Sequence, residues 1–523
     1  MIENIQIENL RSIHNSGFIE LKPIMILLGA NSSGKSTFLR SFPLFTQSVE
    51  KKLRGPISWF DAAYVDFGDY KTAKNKYSQE EDGITFSYQY KNVNSVNQRR
   101  RFYMYKYSGL NNAELVKGAF SFTLKGDSKG TYVSKVHIET VNAKYDINVN
   151  DRNDFVKVVV DGEKIEIEEK LFFNFNTSFE ILPTLASNRS SNSEKDTGSI
   201  MLIAEKLITI FKEHCDKRLQ YIQRFDTILL HDNLNKDSFL AKLKYGGGIK
   251  SFQKSVRNWT VNTQEFNNIY KYFLLLKLNS VIDSINNEIA LFYHKCDYIA
   301  PMRAEADRFY RIQGLQVQSV DPSGHNLLEF IASLTVKEKA SFDVFVKDIL
   351  GVTVDVPSES GMKSLRIKTN DGDFSIADVG YGYSQVLPVI TKLWHTTYIA
   401  ENSNNVMGRL RFREFDKTTL LMEQPELHLH PAMQAKVADT LIKTVNRTRE
   451  AGDCATLIVE THSQALINRL GRRIRENEIM PDDINVLLFY KDKDLRNTQI
   501  KQISFSQKGQ LNDWPYGFFD PLD

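Results

Sequence analysis

The 523-residue chain carries 67 Lys and Arg against 64 Asp and Glu, with 41% hydrophobic and 25% charged residues, a profile that excludes a disordered polypeptide and one drawn to nucleic acid by overall charge. Three widely spaced cysteines, Cys215, Cys296 and Cys454, exclude a disulfide framework or a zinc motif and fit a cytoplasmic protein. Apolar runs are strand-sized, well short of the ~18 residues a membrane span needs, and the charged amino terminus is unlike a signal peptide.

The length favours two or three subdomains. Residues 2–70 open with the alternating IENIQIENL, followed by the buried-strand pattern IMILLG, a glycine loop and a helix, the opening unit of an α/β nucleotide fold. Residues 83–168 change to short period-two segments separated by DG and KG turns, which predicts antiparallel sheet. Residues 197–294 have helical spacing interrupted by YGGGIK, predicting a helical arm or short packed bundle without a sustained heptad. From residue 298 onward, apolar strands alternate with helices, which predicts βαβ units and a parallel sheet. The expected division is a first ATPase lobe with a β-rich subdomain at 1–196, a helical insertion at 197–297, a second lobe at 298–470, and a terminal strand and tail at 471–523.

Four segments carry chemistry. GANSSGKS at residues 29–36 satisfies G-x-x-x-x-G-K-[ST] between a strand and a helix. Gly29, Asn31, Ser33 and Gly34 form a loop whose N–H groups can curl around phosphates; Lys35 reaches the β and γ phosphates, and Ser36, followed by Thr37, offers a hydroxyl to Mg²⁺. The apolar run at 418–422 ends in Glu423, Gln424, Pro425 and Glu426, placing a candidate metal-side carboxylate, Glu423, at a strand end. A strand end capped by solvated acids is the plain alternative. ATLIVE runs into His462, which could contact a γ-phosphate, although a lone histidine after a strand is more often a satisfied surface group. The glycine pair Gly380 and Gly382 with Ser384 and Gln385 stands at a helix start; alone it reads as a glycine turn with a capping serine.

Taken in chain order, the four segments resemble the split ABC-type ATPases of the SMC, RecF and OLD group: P-loop, long insertion, signature, Walker B and switch histidine. The opening segment, YIAPMRAEADRFY at 298–310, MEQPELHLHP at 422–431 and WPYGFFD at 514–520 are further similar to the PtuA ATPases of Septu-type anti-phage systems, including retron-linked ones. The resemblance implies ATP and Mg²⁺ as cofactors, Ser36 and Glu423 as metal-side groups and His462 as switch. It also implies that Gly380, Gly382, Ser384 and Gln385 complete a partner copy's site in an ATP-bridged homodimer.

The family's water-activating glutamate is replaced by Gln424, whose amide cannot act as a base, so slow hydrolysis is expected unless Glu426 or His462 takes the proton. Only about sixty residues follow His462, too few for an appended nuclease domain. The resemblance therefore implies a separate HNH nuclease, PtuB, as partner, with a reverse transcriptase and its multicopy single-stranded DNA in retron-linked systems. The alternative is a RecF- or SMC-like repair or chromosome clamp acting directly on DNA, with basic clusters such as Arg99 to Arg101 and Arg472, Arg473 and Arg475 as phosphate contacts.

Overall fold

The fold is taken from a computed structural model that describes residues 1–51, 53, 55–92, 110, 115–127, 130–150, 155–165, 172–174, 180–186, 198–215, 226–246, 249–305, 307–311, 317–359, 361–370, 372–379, 381–403, 418–491 and 497–512. The segment 101–108, within the stretch 83–168 predicted as antiparallel sheet, Gly380, the basic cluster at 99–101 and the aromatic tail at 514–520 lie outside those residues. The chain forms two compact units, each assembled from discontinuous segments: residues 1–18, 45–59 and 67–293 in one, and 19–44, 60–66 and 294–523 in the other.

In the first unit an antiparallel sheet runs in the order Glu163–Ile165, Phe155–Val160, Lys144–Val149, Gly130–Glu139, Lys117–Asp127, Ile84–Lys91, Ile2–Leu10 and Ile13–Asn15. The period-two pattern explains it: in ITFSYQYK every second side chain is buried, so one face meets the core and the other remains partly accessible. Phe86, Tyr88, Phe120 and Phe122 line the inner face, with Tyr88 stacked on Phe120 at 4.8 Å between centroids. The 31-residue helix Gln264–His294 belongs to this unit. Tyr88 and Tyr293 hydroxyls bond at 2.8 Å, and the Asn286 amide pairs with both backbone groups of Leu182. Among the described residues of the expected helical stretch, this helix is preceded by four shorter ones, the break at YGGGIK falling between Lys236–Tyr245 and Lys250–Val256.

The second unit contains the parallel sheet, in the order Thr498–Ile503, Ile484–Lys491, Ile24–Gly29, Thr456–Glu460, Thr419–Glu423 and Cys296–Ile299. All neighbours are parallel except the first pair. Ile24–Gly29, Thr419–Glu423 and Thr456–Glu460 are buried at every residue, as strands covered on both faces must be, which is why they read as uninterrupted apolar runs. Helices Tyr381–Ser403, Pro431–Glu450 and Gln464–Arg475 cover them through Val386, Ile390, Trp394, Leu441, Val445, Leu466 and Leu470. A small antiparallel sheet of Thr353–Asp355, Arg366–Thr369 and Gly372–Ser375 precedes the helix that starts at Tyr381. The architecture is α/β, with parallel core strands and antiparallel strands in a mixed sheet. Among the described residues no helix is long and apolar enough to cross a membrane.

Candidate active site

The three central strands of the parallel sheet deliver their last residues side by side. Ile24–Gly29 leads into the glycine loop; Glu460 closes the adjacent strand; Glu423 closes the next, paired in register with Glu460. Gly29 has no room for a side chain, because a Cβ would lie 2.3 Å from the Phe489 carbonyl oxygen and 2.6 Å from Ser33 Oγ. Gly34 turns the chain at φ +103°, a conformation L side chains rarely adopt, and the helix Lys35–Val49 starts at the next residue. Asn31 is exposed at the loop's tip, Ser33 is buried, and Thr37 is half-buried in the helix's first turn. The Ser33 carbonyl accepts a bond from Thr498 Oγ1 at 2.8 Å, which ties the loop to the strand Thr498–Ile503.

Lys35 is only 3% exposed and donates to the carbonyls of Gly29 and Ala30, both at 2.9 Å, lacing the loop closed on itself. Burial lowers its pKa, and the carboxylate of Glu460, 3.8 Å away, opposes that shift. The Ser36 hydroxyl donates to Glu460 Oε1 at 2.9 Å. Glu460 is buried beside a second acid, and these two causes, burial first and repulsion from Glu423 second, push its pKa up to about 7.

Glu423 faces other partners. Arg40, one turn beyond Ser36 on the same helix, grips it with two bonds of 2.7 and 2.8 Å, and the buried Tyr298 hydroxyl donates to it at 2.6 Å. The Glu423 bond raises the Arg40 pKa; burial, then Glu423, raises that of Tyr298. Behind the strand end, Arg303 donates from one nitrogen to the carbonyls of Glu423 and Gln424, each at 3.1 Å. Burial lowers its pKa to about 10. Gln424 adopts φ +44°, and its N–H donates to the Glu460 carbonyl at 2.8 Å. This left-handed turn is therefore held from the neighbouring strand, through the Glu460 carbonyl, and from the buried guanidinium.

Glu426 is buried, its pKa raised by that burial, and its Oε1 accepts the His462 N–H at 2.8 Å. Burial and then the Lys35 charge lower the His462 pKa, which favours the neutral imidazole. Among the described residues, Glu460 Oε2, Glu426 Oε2 and His462 Nε2 are buried without a protein hydrogen-bond partner. Of the glycine segment, Ser384 and Gln385 are buried at 7% and 5% exposure in the early turns of Tyr381–Ser403. Gly382 is the open position: a Cβ there would meet nothing nearer than the His428 carbonyl oxygen at 4.0 Å.

The sequence-derived residues thus fall into groups. Lys35 and Ser36 meet each other and Glu460; Gln424 hydrogen-bonds Glu460 through its backbone; Glu426 and His462 meet each other. The Glu423 carboxylate is bonded to Arg40 and Tyr298 rather than to Ser36. Glu460, Arg40, Tyr298 and Arg303 were missed. The acid that ends the apolar run TLIVE was the available signal for Glu460, and YIAPMR carried Tyr298 and Arg303.

The oxygens present fit Mg²⁺: a serine hydroxyl lies 2.9 Å from a buried carboxylate that has a second, unpartnered oxygen. Among the described residues no cluster of three His, Cys, Asp or Glu groups could hold a metal ion. Ser36 and a neighbouring strand-end acid would hold such an ion, which would supply neutralisation of phosphate charge.

A parallel sheet whose central strand runs through G-x-x-x-x-G-K-S into a helix, with a carboxylate of the next strand against the lysine and serine, defines a P-loop ATPase. The chain belongs to the AAA ATPase domain family AAA_15, whose model matches residues 1–467. No curated protein matches it. Among solved structures it is similar to an Smc head bound to the C-terminal winged-helix domain of ScpA, at 11% identity over 96% of this chain and 98% of that one, with a TM-score of 0.34. A Pyrococcus furiosus Smc head bound to the C-terminal domain of ScpA gives 9% identity, 96% of both chains and 0.35. The SMC head from Thermotoga maritima gives 8% identity over 96% of this chain and 98% of that one, and 0.30.

Proposed function

We propose that this chain is a slowly hydrolysing ATPase that dimerises around ATP and Mg²⁺ and serves, in the cytoplasm, as the regulatory subunit of an anti-phage complex controlling a separate HNH nuclease of the PtuB kind. In retron-linked systems the complex would include a reverse transcriptase and its single-stranded DNA. The observation that carries the nucleotide reading is the meeting of Lys35 and Ser36 with Glu460 at the end of the P-loop strand. The defence reading rests on the similarity of four segments to PtuA ATPases.

In this reading residues 1–196 and 298–470 are the two ATPase lobes, 197–297 the helical arm, and 471–523 a terminal strand with its tail. Lys35 and the loop N–H groups hold phosphate, while Ser36 with an acid from the neighbouring strands holds the metal's water shell. Gln424 supplies no base, so the ATP-bound state is long-lived. Gly382, open at the start of its helix, offers backbone to a partner copy's nucleotide with little side chain in the way.

Light scattering with Mg²⁺ and ATP tests this. The wild type is expected to double its mass, Lys35→Ala to lose nucleotide binding in calorimetry, and Gly382→Arg to bind ATP yet remain a monomer. Unchanged ATP affinity in Lys35→Ala, or normal dimerisation of Gly382→Arg, contradicts the site or the sandwich respectively. Co-purification of an HNH nuclease with the natively expressed chain supports the defence role; recovery with DNA alone favours a repair clamp.

A further inference from the structure

We propose that the hairpin formed by the helices Lys236–Tyr245 and Lys250–Val256 is a binding surface for single-stranded nucleic acid, with Lys250, Lys254 and Arg257 on its phosphates and Tyr245 against a base. The proposal goes beyond the nucleotide site and does not depend on it.

Charge is the first ground. Between Asp237 and Glu265 the sequence holds Lys242, Lys244, Lys250, Lys254 and Arg257 and no acid, although the whole chain has a net charge of only +3. Among the described residues none of these five side chains pairs with a carboxylate. Two other basic helix faces are neutralised. On Gln464–Arg475, Arg469 and Arg473 hold Asp439 and Arg472 holds Glu476, at 2.7 to 2.8 Å; on Val336–Leu350, Lys339 holds Asp343 one turn on at 2.6 Å. The hairpin keeps its positive charge open to a ligand.

Spacing is the second ground. Lys250, Lys254 and Arg257 are all exposed and stand at i, i+4 and i+7, so they share one face of their helix. Like charges at these separations oppose helix formation, and an anionic strand laid along the face relieves that repulsion. The stripe extends over ~10 Å of helix axis, a length in which a strand at ~3.4 Å per nucleotide presents about three phosphates.

The third is an aromatic ring. Tyr245 ends the first helix beside Lys244 and is 81% exposed, with no ring contact among the described residues. An open ring among cations suits an unstacked base, which a single strand offers and a duplex does not. The opposite side of the hairpin is anchored: Phe239, Leu243, Phe252 and Val256 are buried, and Phe239 stacks on Phe273 of the helix Gln264–His294 at 4.0 Å between centroids. The cations and the tyrosine can therefore be exchanged without disturbing that packing.

The test is fluorescence anisotropy of a labelled oligo-dT of about 20 nucleotides with the full chain, between about 50 and 200 mM salt. The triple variant Lys250→Gln, Lys254→Gln, Arg257→Gln is expected to weaken binding by ~10-fold or more at the lower salt, and to flatten the slope of log affinity against log salt by ~2, which is three phosphates at ~0.7 each. Tyr245→Ala is expected to lose ~5-fold or more with the slope unaltered. Lys254→Glu stands in should the triple variant fail to fold, with an expected loss of ~10-fold. A wild type that binds no oligo-dT, variants that bind it like the wild type, or a duplex of the same length bound as tightly overturns the proposal. Polyglutamate that displaces the strand as well as unlabelled oligo-dT does also overturns it, in favour of an acidic protein partner. Absence of ATP binding in the wild type, read separately by calorimetry, sinks the nucleotide reading and leaves this surface standing.

Discussion

Replacing Arg40 with Met removes the guanidinium fork but keeps most of the side-chain stem, so it isolates what the ion pair contributes. The wild-type pair consists of two bonds of 2.7 and 2.8 Å to a carboxylate that is 2% exposed, with Tyr298 at 2.6 Å as the remaining side-chain donor. Removing one member of a fully buried pair costs about 3–5 kcal/mol, because the other charge is stranded. Arg40 is 33% exposed, so water can enter where the guanidinium was and the Tyr298 bond survives; both reduce the cost, to about 2 kcal/mol. For a unit of this size that corresponds to a fall of about 4–8 °C in melting temperature.

Differential scanning fluorimetry of the nucleotide-free chain measures the shift. The double variant Arg40→Met, Glu423→Gln should recover at least half of it, since an amide strands no charge and can still accept the Tyr298 bond. A single variant that melts with the wild type would mean the pair carries no net stability. A double variant as unstable as the single would place the loss in packing of the stem, not in electrostatics.

Gln424→Glu, which restores a base next to the acid strand, is expected to raise steady-state phosphate release by at least ~10-fold; no change, together with abolition by Glu426→Gln, would make Glu426 the working base. Glu460 also gives the nucleotide-free protein a pH dependence. Burial and the neighbouring Glu423 push its pKa from the ordinary 4.5 up to about 7, so its protonated form favours folding at low pH and that contribution fades as pH rises through 7, by about 3 kcal/mol in all. Glu460→Gln imitates the protonated form, and its melting temperature should gain on the wild type between pH 5 and pH 8; a constant difference across that range would show that the acid does not titrate there.

The parallel sheet was legible because its strands are covered on both faces and therefore uninterruptedly apolar, as in IMILLG and TLIVE. The glycine loop was legible because its chemistry is local: Gly34, Lys35 and Ser36 are consecutive, and their roles follow from the backbone turn and the helix that begins there. The Ser36–Glu460 bond joins residues 424 positions apart, and the Arg40–Glu423 pair joins residues 383 apart. Periodicity marks both acids as strand ends, but it is silent on strand order, and strand order decides which acid meets the loop. Arg303 was hidden for a different reason. A guanidinium at 6% exposure that donates to backbone carbonyls is indistinguishable in sequence from a solvated arginine.

The same contacts form a continuous physical path within one unit. The P-loop helix holds Glu423 through Arg40; the strand that ends in Glu423 continues into the left-handed Gln424, which Arg303 and the Glu460 carbonyl hold in place. Four residues on, His428 presents its carbonyl oxygen towards Gly382 in the helix Tyr381–Ser403. Along this path Glu423 and Arg303 are buried, Arg40, Gln424 and Gly382 are half-buried, and His428 is exposed. Close-packed elements of this kind shift between discrete arrangements more readily than they deform gradually. A rearrangement that freed Lys35 from the Gly29 and Ala30 carbonyls to reach a phosphate would also change the field at Glu460 and His462, because the Lys35 charge acts on both. The strand end at Glu460 is therefore where a change at the P-loop first meets the acid turn.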